Sequence, residues 1–153
     1  MTDVLDPSDL EKAAHRLVEA ARRAGADKAD AVAVRGISQS VGVRLGEVED
    51  SERSEGDDFG LRVFVGRRHA TVSANAFADP ATLAERAVAM ARVAPEDPWA
   101  DLIEESRLTR EIADLDLVDP STPSAAELTE RALACEDAAR AVAGVTNSGG
   151  ASA

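Results

Sequence analysis

Aromatic side chains are scarce in this chain, with one tryptophan, three phenylalanines and no tyrosine. Any core must therefore be aliphatic, built from Val, Leu, Ile and many alanines. Cysteine occurs once, at Cys135, which excludes an internal disulfide. No apolar run approaches the roughly 20 residues that span a bilayer. The opening stretch MTDVLDPSDLEK lacks the basic-then-apolar order of a secretory signal. Basic residues are outnumbered, 17 Lys and Arg against 29 Asp and Glu, for a net charge of −12. Phosphate backbones are gripped by clustered cations, and a field of this sign repels them. Direct binding to nucleic acid or to a membrane surface is thereby disfavoured. With one thiol and no signal, the expected compartment is a reducing cytoplasm.

What is present reads as one α+β domain over residues 1–153. The expected architecture is a mainly antiparallel sheet of about five strands with three amphipathic helices packed on it. Asp6-Pro7-Ser8 opens the first helix, and Ser8 and Glu11 have capping-box spacing. Leu10, Ala13, Ala14, Leu17, Val18 and Ala21 recur at helical intervals. Gly25 suits the left-handed residue that closes a helix.

The period then falls to two. Residues 31–34 (AVAV) predict a strand buried on both faces and interrupted by Gly36. Val41, Val43 and Leu45 predict a second strand with one face in the core. Residues 47–55 (EVEDSERSE) predict an exposed strand at a sheet edge, where charge discourages aggregation. Gly56-Asp57-Asp58 is a turn signal. Residues 59–76 then form a β-hairpin turning at Gly66-Arg67, with Leu61, Val63, Val65 and Val72 on its apolar face. A slip of one residue would turn all of them outward.

Asp79-Pro80 starts the second helix, with Asp as cap and Pro at the first helical position. Its stripe is Leu83, Ala84, Ala87, Val88 and Ala91, and Pro95 ends it. Residues 95–123 read as a long connection containing Trp99, Leu102, Ile103 and an extended run at 114–117. Ser124 and Glu127 form a second capping box. Leu128, Ala132, Cys135, Ala139 and Val142 make the face of the third helix, ended by Gly144. Residues 145–147 begin a further strand, so the chain is expected to be the N-terminal piece of a longer protein, unless residues 145–153 are simply a frayed end.

No residue combination assembles catalytic machinery, so the expected catalytic, cofactor-binding and metal-ligating sets are empty. His15 and His69 lack partners at metal-ligand spacing. Cys135 lies on an apolar stripe, where thiols are inert. Arg62, Arg67 and Arg68 make a basic spot suited to an anion or to pairing with neighbouring acids. The acids of residues 47–58 lack the spacing and glycine of a calcium loop. Residues 147–150 (NSGG) lack the Lys-Ser/Thr of a phosphate loop. Unaided, these residues point to an interaction domain.

The order of several short motifs adds to this. LGEVE at 45–49 precedes GLRVFVGRRHATVS at 60–73. Ala91-Arg92, Glu96-Asp97-Pro98, the DLDL of 114–117 with Asp119-Pro120, the EDAA of 136–139 and the TNSGG of 146–150 follow. This series resembles the N-terminal domain of the TldD/PmbA family, once described as modulators of DNA gyrase. Its Glu-Asp-Pro, Asp-Leu-Asp-Leu and Thr-Asn-Ser-Gly-Gly segments are closer to the PmbA (TldE) branch. The resemblance implies a considerably longer parent protein. It also implies zinc in a TldD-type partner, through an HExxxH motif that would lie past Ala153. The partners implied are a second copy or a TldD-type subunit, with unfolded peptide as substrate and no cofactor in this segment. The alternatives are the N-terminal domain of a TldD-type catalytic subunit and a stand-alone acidic module that mimics DNA.

Overall fold

In the computed structural model, residues 8–75 and 78–153 are described. Three α-helices, a short 3-10 turn and four strands follow the order α1 (Ser8–Arg23), β1 (Lys28–Arg44), β2 (Glu47–Val65), β3 (Arg68–Asn75), α2 (Pro80–Val93), 3-10 turn (Glu105–Arg107), α3 (Ala125–Arg140) and β4 (Ala151–Ser152). The strands form one sheet in the order β3-β2-β1-β4. The α+β reading is thus observed. The chain divides into two compact units, the first of residues 1–36 and 56–112, the second of 37–55 and 113–153. The long strands β1 and β2 contribute to both.

In the first unit, β2 and β3 form the expected hairpin. Leu61 faces Val72, Val63 faces Ala70 and Val65 faces Arg68 across an antiparallel register. The two-residue loop Gly66-Arg67 makes the turn, with Gly66 at φ 57°. Leu61 and Val63 are fully buried and Val72 nearly so. They pack with Leu17, Ala20 and Ala21 of α1 and with Leu83, Ala84, Ala87, Val88 and Ala91 of α2. All five stripe residues predicted for α2 are buried. Asp79 caps this helix, accepting the Thr82 N–H at 2.9 Å. The residue before Pro95, Ala94, is extended as proline demands. Helix α1 closes in a Schellman motif: Gly25 N–H donates to Arg22 O and Ala26 N–H to Ala21 O, with Gly25 at φ 100°. The reading of Asp6-Pro7 as its start, and of Ala76 in β3, lies outside the described residues.

Several expectations need correction here. β1 is one strand of 17 residues, running through Gly36 without interruption. It is not buried on both faces, since Val32 and Val34 are 62% and 53% exposed. The alanines Ala29 and Ala31 face the helices instead. An unbroken apolar run cannot by itself say that both faces are covered, and here the helices cover one. Gly56-Asp57-Asp58 is no turn but mid-strand in β2. Arg35 of the neighbouring strand grips Asp57 through two bonds of 2.8 and 2.7 Å. Phe64 is buried on the face opposite Leu61. Arg62 lies over its ring at 5.3 Å, and the Asp97 N–H bonds to Arg67 O at 2.8 Å, drawing the chain after α2 across that end of the hairpin.

In the second unit, Val41 and Val43 of β1 pack with Leu128 and Ala132 of α3. β4 pairs with β1 antiparallel, Ser152 opposite Gly42 and Ala151 opposite Val43. This strand comes later than the one expected at 145–147, which has no strand structure. Leu45 belongs to the turn, not to the strand core, and is 51% exposed. The capping box of Ser124 and Glu127 is complete in both directions. The third-helix face is partly corrected. Its buried residues are Leu128, Ala132 and Glu136, whereas Cys135 is exposed and Val142 is 59% exposed. The helix ends at Arg140, before Gly144. The run 114–117 is not a strand, and Asp116 turns left-handed at φ 49°.

Candidate interaction surface

His15, His69 and Cys135 stand on three different elements. His15 lies on an exposed stretch of α1, its Nε2 3.8 Å from Glu11 one turn away. His69 sits in β3 with its ring 6.0 Å from that of Phe64. Cys135 is on the open side of α3. Among the described residues, no three His, Cys, Asp or Glu side chains come together as metal ligands. Among the described residues, no helix is long and apolar enough to cross a membrane.

The basic spot is divided among separate partners. Arg62 makes a paired contact with Asp30, its Nε donating at 2.9 Å. Arg68 donates to Ala94 O and, at 3.1 Å, to Glu96. Arg67 is left to line a small cleft of about 170 Å³ with Asp27, Lys28, Phe64, Pro98 and Asp101. Both of its acids are engaged: Asp27 accepts the Gly66 N–H at 2.7 Å, and Lys28 donates to Asp101. Hydrogen bonding by Lys28 holds the Asp101 carboxyl below its usual value. The cleft is thus a charge-balanced joint between hairpin and loop.

What the fold leaves open is backbone and apolar surface. β3 pairs with β2 only over Asp58–Val65. Among the described residues no strand lies along the outer side of Glu47–Glu55, so the expectation of an exposed acidic edge is met. Arg53 pairs with Glu55, and Arg44 lies 3.7 Å from Glu49. Glu47, Asp50 and Glu52 have no basic partner among the described residues. Such an edge repels its like and accepts a strand of complementary charge. In the first unit, Val32 and Val34 project from the sheet face away from the helices. The connection after α2 exposes Trp99 at 89% and Ile112 at 87%.

Sequence reasoning missed one organising residue, Glu136. It lies at the heart of the second unit, 2% exposed. Its two carboxylate oxygens accept the Leu45 and Gly46 N–H groups, each at 2.8 Å. The Ser148 hydroxyl, the Gly46 and Leu45 amides and the nearby Arg140 hold its carboxyl below the usual glutamate value, against the opposing effect of burial. Ser148 also accepts the Gly150 N–H at 2.9 Å. Ser148 therefore ties residues 147–150 to this internal carboxylate. The available signal was spacing, since Leu128, Ala132 and Glu136 repeat every fourth residue.

Comparison with known proteins fits this geometry. Residues 29–91 match the model of PmbA/TldA metallopeptidase domain 1. The fold is similar to that of a protein from Bacteroides thetaiotaomicron assigned provisionally as a modulator of DNA gyrase, with a TM-score of 0.76 and 19% identity. That likeness covers 88% of this chain and 31% of the other. It is similar also to TldE from Thermococcus kodakarensis, with a TM-score of 0.69 and 17% identity, over 90% of this chain and 31% of that one. The chain thus spans about a third of the length of these two proteins. No curated protein sequence matches it. The segment 29–91 is thus similar to the first domain of PmbA/TldA metallopeptidases, and it is set in a fold shared with both structures.

Proposed function

We propose that this chain is the association domain of a PmbA/TldE-type subunit, without catalytic groups of its own. It works beside a TldD-type zinc metallopeptidase subunit that cleaves unfolded peptides. The observation that supports this reading is the strand edge at Glu47–Glu55, along which no described strand pairs. Natural sheets protect an open edge with charge or cover it with a further strand. An extended peptide or a neighbouring subunit pairs with such an edge through backbone groups, with little dependence on its sequence. Zinc would be supplied by the TldD-type partner.

A second reading has one observation in its favour. The matching family description speaks of a metallopeptidase and does not separate the two branches. On that reading the chain is the first domain of a TldD-type catalytic subunit. The test is reconstitution with a TldD-type subunit from the same organism. We expect the two to co-sediment and this chain alone to leave an unfolded peptide intact. Failure to co-sediment, or cleavage by this chain alone, overturns the proposal.

A further inference from the structure

The tip of the β1–β2 hairpin is built from an unexpected residue. Leu45 has φ 54° and Gly46 φ 85°. Two-residue hairpin loops with both residues left-handed favour Asn or Asp before Gly, because a Cβ resists positive φ. A leucine there is a departure from that chemistry. Its side chain joins no core and remains 51% exposed. Conformations of this kind persist where the surroundings impose them, and they cluster where a protein meets a ligand or partner. The imposing group is Glu136, which holds both tip amides at 2.8 Å from inside the unit. The tip is therefore fixed from within while its apolar side chain is turned out.

The surroundings of Leu45 give the chemistry of what it meets. Val48 is also 51% exposed, and with Arg44, Glu47 and Glu49 the two apolar residues line an open groove at the tip. Arg44 is committed to Glu49 and Arg53 to Glu55. Arg140 also reaches the tip, a guanidinium nitrogen lying 3.9 Å from where a Gly46 Cβ would stand, but it faces the carboxylate of Glu136. Glu47, Asp50 and Glu52 have no basic partner among the described residues, so the acids of the collar outnumber its free cations.

We propose that Leu45 is a docking knob that enters an apolar socket rimmed by lysine and arginine on a TldD-type subunit. This rests on the association role proposed above and names the contact that serves it. A second copy of this chain fits poorly, because it brings another net charge of −12 to the same collar.

The test uses the full chain and an immobilised TldD-type subunit, with Leu45→Asn and Glu47→Lys as variants. Asparagine tolerates the left-handed region. Leu45→Asn should therefore melt at or above the wild-type temperature while its Kd rises roughly tenfold or more, as for a central contact residue. Glu47→Lys should weaken binding several-fold, and added salt should weaken the wild type. Wild-type binding that Leu45→Asn leaves unchanged overturns the knob and spares the association role. No binding by the wild type overturns both. A lower melting temperature for Leu45→Asn shows the leucine held by its own packing and overturns the knob. Self-association that Leu45→Asn abolishes overturns the choice of partner.

Discussion

The division of the sheet into a helix-covered face and a bare one can be tested by two truncations. Leu61 is wholly buried on β2, opposite Val72. Val34 on β1 is half exposed. Removing a buried leucine side chain costs about 2–5 kcal/mol, more where the surroundings cannot close the hole. Leu61 shares its core cluster with Ala84, Ala87 and Ala91, all fully buried. Their side chains are a single methyl and cannot reach into the space. Leu61→Ala therefore belongs in the upper half of the range, about 3–5 kcal/mol. In a chain of this size each kcal/mol moves Tm by about 2–4 °C, so Tm should fall by about 6–20 °C. Val34→Ala should stay within about 0.5 kcal/mol, as at other exposed sites. Urea unfolding followed by circular dichroism gives both values, and an unchanged m confirms that stability alone has moved. A Val34→Ala loss equal to that of Leu61→Ala would refute the reasoning, because it would mean that both faces of β1 are covered.

Three further outcomes follow from the second unit. The Glu136 carboxyl is held below its ordinary value of 4.5, mainly by the Ser148 hydroxyl and the tip amides. Its folded pKa is depressed, so its contribution is present above 4.5 and is lost as pH falls below that value. Glu136→Gln should lower stability at pH 7 and flatten the acid limb of the stability curve below pH 4.5; an unaltered acid limb would show that the clamp carries no linkage. Gly150 has φ 108°, and a Cβ there would stand 3.0 Å from Val43 O. Gly150→Ala should cost more than about 1 kcal/mol and loosen β4, read as faster exchange of the Ala153 amide that donates to Val41. Cys135 is exposed and should react with a thiol reagent in the native state as readily as in urea; protection in the native state would contradict its position.

The elements most legible in the sequence were those set by local chemistry. Asp79-Pro80, the stripe of α2, Gly25, the Ser124–Glu127 box and the Gly66-Arg67 hairpin each depend on neighbours within a few residues, and each stands as expected. The residues 31–34 mislead because Val and Ala alternate there, and nothing in the chain says which parity the helices will cover. The apolar stripe of the third helix points Cys135 inward because a thiol is more apolar than a carboxylate, yet Glu136 is the buried residue. Glu136 prevails because two backbone amides about 90 residues away in sequence wait for an acceptor. An acceptor demand of that range has no local signature. The acidic edge was legible from composition alone, since nine consecutive residues with one large apolar side chain have nothing to bury.

Amide hydrogen exchange bears most directly on the association role, measured on this chain alone and with a TldD-type subunit. The amides of Glu47–Glu55 that point away from β1 should exchange rapidly in the free chain and slow markedly in the mixture, together with those around Leu45. Equal exchange in both samples, with the subunits sedimenting separately, would contradict it.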